Sequence, residues 1–220
     1  MPLPQDKPFI AINILPPPQI NGVLDATPAL LESIQKAEAM GFTHAWLNPI
    51  STVTKNSICH RYDLDTGVST SLYNSLYAPE DTLKYNRPDL PVEKMREIND
   101  TLNKRGFSLL ANFVWKHVGI GSSLLKSNPK WFGKTIKDII EYEFTDEKGE
   151  PTENGPQIIA YLQGVIRLLL DPIDGYGFAG LRIDAACHLK PYVREALYSY
   201  IRTHYPKAII FEEVLFDRSQ

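Results

Sequence analysis

The sequence predicts an α/β protein in which five parallel strands are covered by helices. Three observations carry this. Short apolar runs alternate with helix-like stretches along most of the chain, the order in which parallel strands are joined. Proline, glycine and small polar residues fall between the runs, where each connection needs a start or a stop. The two longest polar insertions both leave from the C-terminal ends of strands, where parallel α/β folds build their sites.

Taken in order, "PFIAINIL" (8–15) is an apolar run halted by three prolines and reads as the first strand. In the next stretch Thr27 can cap a helix, Pro28 suits its first position and Gly41 fits its stop. Leu30, Leu31, Ile34, Ala37 and Ala39 give that helix one apolar stripe. "THAWLNPI" (43–50) is the second strand, and 92–106 the second helix, ended by Gly106. "FSLLANFVW" (107–115) is the third strand, 156–170 a helix, and "GFAGLRID" (177–184) the fourth strand. Pro191 opens a helix through 204, and "KAIIFEEVLF" (207–216) is the fifth strand. A polar, Tyr-rich segment (51–90) follows the second strand, and 116–155 reads as an inserted loop region after the third. The whole of 1–220 reads as one domain.

Composition narrows the function classes. An apolar share of 43% with 22% charged residues is that of an ordinary globular protein. A net charge of −3 argues against nucleic acid as partner, because phosphate binding usually needs a basic face. No apolar run approaches the roughly 18 residues that cross a bilayer, so no membrane partner is expected. The N-terminus lacks a basic region followed by an apolar core, and Cys59 and Cys187 read as free thiols. Together these predict a cytoplasmic protein.

The chemistry concentrates in the last two strands. A period of two puts Arg182 and Asp184 on one face of the fourth strand, with Leu181 and Ile183 on the other. On the fifth, Ile209, Phe211 and Glu213 share a face, so a second carboxylate stands at a strand's end; parity alone separates Glu213 from Glu212. An arginine beside Asp184 predicts a low pKa there, while a carboxyl without such a partner can stay protonated. One nucleophile and one acid/base are what a retaining glycosidase needs. By spacing alone, a structural Arg–Asp pair with an unrelated surface glutamate fits equally well.

At this point the residues resemble glycoside hydrolase family 13, the α-amylase family. "GLRIDAACH" is similar to the family's fourth-strand pattern G-F-R-[IVL]-D-A-A-K-H, and "IIFEEV" to its fifth-strand run ending in Glu-Val. "NFVWKHVG" is similar to the third-strand pattern D-x-x-x-N-H, with Asn112, Lys116 and His117 in its places. "HRYD" resembles the H-G-Y-D loop motif, giving His60, Tyr62 and Asp63, and "NPKWF" (128–132) resembles a segment that follows the third strand. The resemblance runs over nearly the whole chain, with the motifs in the family's order. It implies a TIM-type (β/α)8 barrel, incomplete here, with about five β/α units and long loops after strands 2 and 3.

The resemblance also implies roles. Asp184 would be the nucleophile, Glu213 the general acid/base, and Arg182 the group that orients Asp184. Tyr62 would stack beneath the sugar, with His60, Asp63, Asn112, His117 and His188 nearby in substrate binding. The substrate would be an α-glucan or maltooligosaccharide, cleaved or transferred without a cofactor. Three departures qualify this: Asn112 stands where the family has aspartate, Lys116 where it has asparagine, and Cys187 where it has lysine. Lys116 predicts no Ca²⁺ at that position, since an ammonium repels the ion and Ca²⁺ wants oxygen donors. The His-Asp motif that follows the family's seventh strand has no counterpart here. The expectations are therefore a weak catalyst alone, an inactive fragment of a longer enzyme, a degenerate carbohydrate-binding or regulatory member, or a chain whose barrel a second chain completes.

Overall fold

The first apolar run forms strand β1 (Ala11–Ile14), and helix α1 (Thr27–Ala39) carries the chain back to β2 (His44–Leu47), which pairs with β1 in parallel. The computed structural model describes residues 9–14, 27–50, 60–62, 69–71, 77–81, 83, 90–137 and 139–214, with only the backbone at 60–62 and 69–71. After β2 come β3 (His60–Tyr62) and β4 (Ser69–Ser71), an antiparallel pair inside the Tyr-rich segment. Helix α2 (Val92–Arg105) stops at Gly106, whose φ of 79° is the left-handed conformation glycine adopts freely. Strand β5 (Ser108–Phe113) follows at once.

Residues 116–155 differ from the expected loop. They fold into β6 (His117–Gly119), a short helix α3 (Ser123–Ser127), β7 (Phe132–Ile136) and β8 (Ile139–Tyr142), with the strands in the antiparallel order β6-β8-β7. The reason is apolar content that short strands hide. Val118, Phe132, Tyr142 and Phe144 are buried, Phe132 stacks on Tyr142 at 4.9 Å, and Trp115 meets Phe144 at 5.9 Å. The small sheet is thereby packed onto the same core as the large one.

Helix α4 (Gly155–Leu170), β9 (Gly180–Ile183), α5 (Pro191–His204) and β10 (Ile209–Glu212) complete the element order. The large sheet runs β1-β2-β5-β9-β10 with every pairing parallel. Its two faces divide by parity. Ala45, Leu47, Leu109, Ala111, Phe113, Leu181 and Ile183 are buried with Leu30, Ile34, Met95, Leu102, Ile158, Leu162, Val193 and Leu197 of the helices. Burying each such large aliphatic side chain contributes about 1.5–3 kcal/mol, so this layer dominates stability.

The other face holds Trp46, Leu110, Arg182 and Phe211, and there the sheet curls. Trp46 lies 5.4 Å from Phe211, and Phe9, ahead of β1, lies 5.8 Å from the same ring, although β1 and β10 are opposite edges. Contact between side chains of distant strands across a concave face is how a parallel barrel begins to fill. Among the described residues the curl is not closed, and Phe9, Ile10 and Val214 stand exposed beside the two outer strands. Gly180 fixes the β9–β10 spacing: a Cβ there would lie 2.1 Å from the Ile209 carbonyl oxygen.

Candidate active site

Asp184 and Glu213 each directly follow a strand of this concave face, one position past β9 and β10. The two strands pair Phe211 with Arg182, so the residue before Asp184 and the residue before Glu213 both turn to the helix side. Arg182 lies between the carboxylates with 8% of its side chain exposed. Its Nη1–H donates to Asp184 Oδ1 at 2.6 Å and to Asn112 Oδ1 at 3.1 Å, and its Nη2–H pairs with Glu213 Oε1. Glu212 points the other way and accepts from Arg194 Nη1–H at 2.7 Å and from the Tyr198 hydroxyl.

This geometry corrects the expected electrostatics in two respects. Arg182 serves both carboxylates, so neither is the one without a cation. Nor does it hold Asp184 low. Burial raises the Asp184 pKa above its ordinary value, the hydrogen bond and charge of Arg182 oppose that without overcoming it, and Glu213 adds to the rise. One guanidinium shared between two anions leaves an uncompensated charge in a site that water reaches poorly. What separates the carboxylates is surroundings: 15% of the Asp184 side chain is exposed against 29% for Glu213. Glu213 also has a donor of its own, since the Ala185 N–H reaches its Oε2 at 3.1 Å.

On the other side of Arg182 a polar chain leads away from the carboxylates. Asn112 Nδ2–H donates to the Tyr77 hydroxyl at 2.9 Å, and that hydroxyl donates to Asn48 Oδ1 at 3.1 Å. The amide keeps one acceptor on Arg182 and spends its donor on Tyr77, which an aspartate would not do. His117 Nε2–H donates to the Tyr77 carbonyl at 2.6 Å, which fixes the tautomer and leaves Nδ1 without a proton while the ring is neutral. Burial holds the His117 pKa below its ordinary value, and the ring lies close enough to Asp184 for each to feel the other's charge. Trp115 Nε1–H donates to the Asp184 carbonyl at 2.7 Å, tying the end of β9 to the segment that leads into β6.

The remaining candidates divide. His188 is exposed, in the short turn Ala186–His188 beyond Asp184. The backbone of His60 and Tyr62 lies in β3, opposite Ser71 and Ser69, and Asp63 lies outside the described residues. Lys116 directs its ammonium to Glu141 at 2.7 Å, an ion pair between the end of β5 and β8. Among the described residues no group of three or more His, Cys, Asp or Glu gathers as metal ligands do. Asn48, Tyr77 and Trp115 belong to this network, and Glu141 pairs with Lys116, although the sequence reading did not select them. Asn48 was available from the same parity rule, since it shares a face with His44 and Trp46 at a strand's end. Tyr77, within a Tyr-rich segment, carried no such signal.

Comparison with solved structures gives the fold. The chain superposes on a maltogenic α-amylase from Thermotoga neapolitana with a TM-score of 0.68 and 15% identity, covering 94% of this chain and 46% of that one. The fold is that of α-amylase-type enzymes. An α-amylase from Lactobacillus plantarum matches with a TM-score of 0.67 and 15% identity, over 93% of this chain and 44% of that one. A debranching enzyme from Nostoc punctiforme matches with a TM-score of 0.64 and 15% identity, over 96% and 50%. The chain thus spans about half the length of these amylase-type structures. No family model matches the sequence, and no curated protein matches it significantly.

Proposed function

We propose that this chain carries the nucleophile and the acid/base of a retaining enzyme acting on α-glucosidic bonds, a hydrolase or a glucan or maltosyl transferase. One observation carries the reading: a buried guanidinium holds two carboxylates at the ends of adjacent parallel strands, on the concave side of an amylase-type sheet. Two carboxyl groups brought to one guanidinium fit the short separation of retaining chemistry, about 5–5.5 Å, better than the wider inverting one.

In this reading the Asp184 carboxylate attacks the anomeric carbon and forms an ester to the sugar, while the bond to the leaving oxygen breaks. Glu213 delivers its proton to that oxygen. In the second half, water or a sugar hydroxyl gives its proton to the Glu213 carboxylate and attacks the same carbon, releasing Asp184. Arg182 holds Asp184 in line, and substrate entering the site displaces the Glu213 contact so that this carboxyl can take up a proton. In this reading His117 and Asn112, held by Tyr77, and exposed His188 meet sugar hydroxyls, and His60, Tyr62 and Asp63 share in substrate binding. Exposed Phe9, Ile10 and Val214 support a further part of the reading: strands from a longer chain or a second chain close the barrel.

An α-configured fluoroglycoside that traps the intermediate tests the assignment. Mass spectrometry should place the label on Asp184, and Asp184→Asn should abolish it. Glu213→Gln should slow trapping most for poor leaving groups. A label on Glu213 or Glu212 would reverse the roles, and carbohydrate binding with no labelling in the protein with its barrel completed would favour a non-catalytic lectin-like role.

A further inference from the structure

We infer that Arg194, on the helix side of the sheet, is a positioning residue for Glu213; this rests on the acid/base reading above. The turn after Asp184 is held in an unusual conformation. Ala185 has φ 45° and ψ 44°, the left-handed region that a residue with a Cβ enters at a cost. That conformation aims the turn's backbone at Glu213. The Ala185 N–H reaches Glu213 Oε2 at 3.1 Å, and the Ala186 N–H reaches the Glu213 carbonyl at 2.9 Å.

Arg194, from the first turns of α5, grips both sides of this corner at once. Its Nη1–H donates to Glu212 Oε1 at 2.7 Å, and its Nη2–H donates to the Ala186 carbonyl at 3.1 Å. Tyr198 donates its hydroxyl to the same Glu212 oxygen and lies under the guanidinium, 5.3 Å from ring centroid to Cζ. One planar group therefore connects the residue before Glu213 to the turn that supplies Glu213 with its N–H donor. The fork shape matters: a lysine could hold one of these partners but not both in a fixed plane. The strained turn persists because surrounding contacts over-determine it, and Arg194 adds a side-chain contact that reaches both strands.

The plain alternative is a half-exposed helix arginine paired with a glutamate, which contributes little beyond slight stability. The two differ in what they move. Arg194→Met should speed amide exchange at Ala185 and Ala186 without changing exchange across the middle of α5. It should also lower kcat/KM for a maltooligosaccharide, whose leaving group needs a proton, while sparing α-glucosyl fluoride, whose leaving group does not. The expected gap between the two substrates is about tenfold, a part of the ~10²–10⁴ that general acid catalysis contributes. Arg194→Lys should recover part of it, and Glu212→Gln, which is isosteric, should show a milder form of both effects. Adding Ala185→Gly to Arg194→Met should restore protection at the turn, because glycine holds this conformation without the grip. Unchanged exchange at Ala185, or an equal loss on both substrates, would overturn the inference. If the parent protein cleaves neither substrate yet the exchange changes appear, the positional link stands and the acid/base reading is what fails.

Discussion

Two corners of the molecule are built from the same kinds of residue and balance their charges differently. At the β5–β6 corner, Lys116 meets Glu141, one cation on one anion, with 29% and 18% of the side chains exposed. At the β9–β10 corner, Arg182 meets Asp184 and Glu213, one cation on two anions, and its own side chain is nearly buried. The first pair is balanced in charge, so it has nothing left to offer a ligand. The second carries an excess negative charge around a nearly buried cation, which costs stability and leaves a group with unmet electrostatic demand. Sites that do chemistry are often those where such demand is kept. Under the proposed reading the first corner is structural and the second is the site.

The sharpest way to break this contrast is to remove the shared cation. Arg182→Met removes a buried cation from between two partly buried carboxylates, and removing one partner of a buried ion pair costs about 3–5 kcal/mol. Chemical denaturation should show a loss of that size, together with loss of activity. A stability change below about 1 kcal/mol, as for an exposed pair, would mean that the site is wetter than its geometry indicates. Second in size is Gly180→Ala, which drives a methyl into the Ile209 carbonyl and forces β9 and β10 apart. Overpacking of this kind costs about 1–3 kcal/mol, and here it should also misplace Glu213 relative to Asp184. A variant of wild-type stability with unaltered trapping kinetics would show that the strand spacing is not what holds the carboxylates together.

The balanced corner should respond weakly. A double-mutant cycle over Lys116→Met and Glu141→Gln should give a coupling of about 0.2–1 kcal/mol, falling as salt is added. A coupling several times larger would make this pair the principal tie between the small sheet and the large one. Any Ca²⁺-dependent rise in melting temperature that vanishes with neighbouring carboxylates would contradict the expectation that Lys116 excludes the ion.

How far the sequence reveals these corners depends on how local each determinant is. Strand order and helix limits are local, and Pro28, Gly106 and Pro191 punctuate the chain where elements start and stop. Strand parity is local too, and it puts Glu213 on the face of Asp184 and Glu212 on the opposite one. The reach of a long side chain is not local. Parity places Arg182 on the concave face but says nothing of Nη2 crossing to the next strand, and this is why the expected division between a paired and an unpaired carboxylate does not hold. The small antiparallel sheet is hidden for another reason: its strands are 3 to 5 residues long, too short for alternation to stand out. Tyr77 is harder still, because its hydrogen bond with Asn112 joins residues 35 apart in sequence.

The smallest effect tests the sign of the electrostatics directly. Most carboxylates in folded proteins have depressed pKa values, so acid removes their contribution to stability. Asp184 is shifted the other way, above its ordinary 3.8, chiefly by burial. Between 3.8 and the raised folded value the native state therefore binds more protons at this group than the unfolded state does. This group's contribution is fully present below 3.8 and is lost as pH rises through the folded value. At neutral pH the buried anion is a burden. Asparagine is nearly isosteric with aspartate and never ionises, so Asp184→Asn should be more stable than wild type at pH 7, by a margin that narrows as pH falls toward 4. Subtracting the variant's melting curve from the wild-type curve at each pH removes groups that titrate alike in both, including Asp171, whose shift is downward. A margin that stays constant, or widens in acid, would mean that Arg182 outweighs burial at Asp184. The β9–β10 corner would then be a stabilising ion-pair network, differing from the Lys116–Glu141 corner only in size.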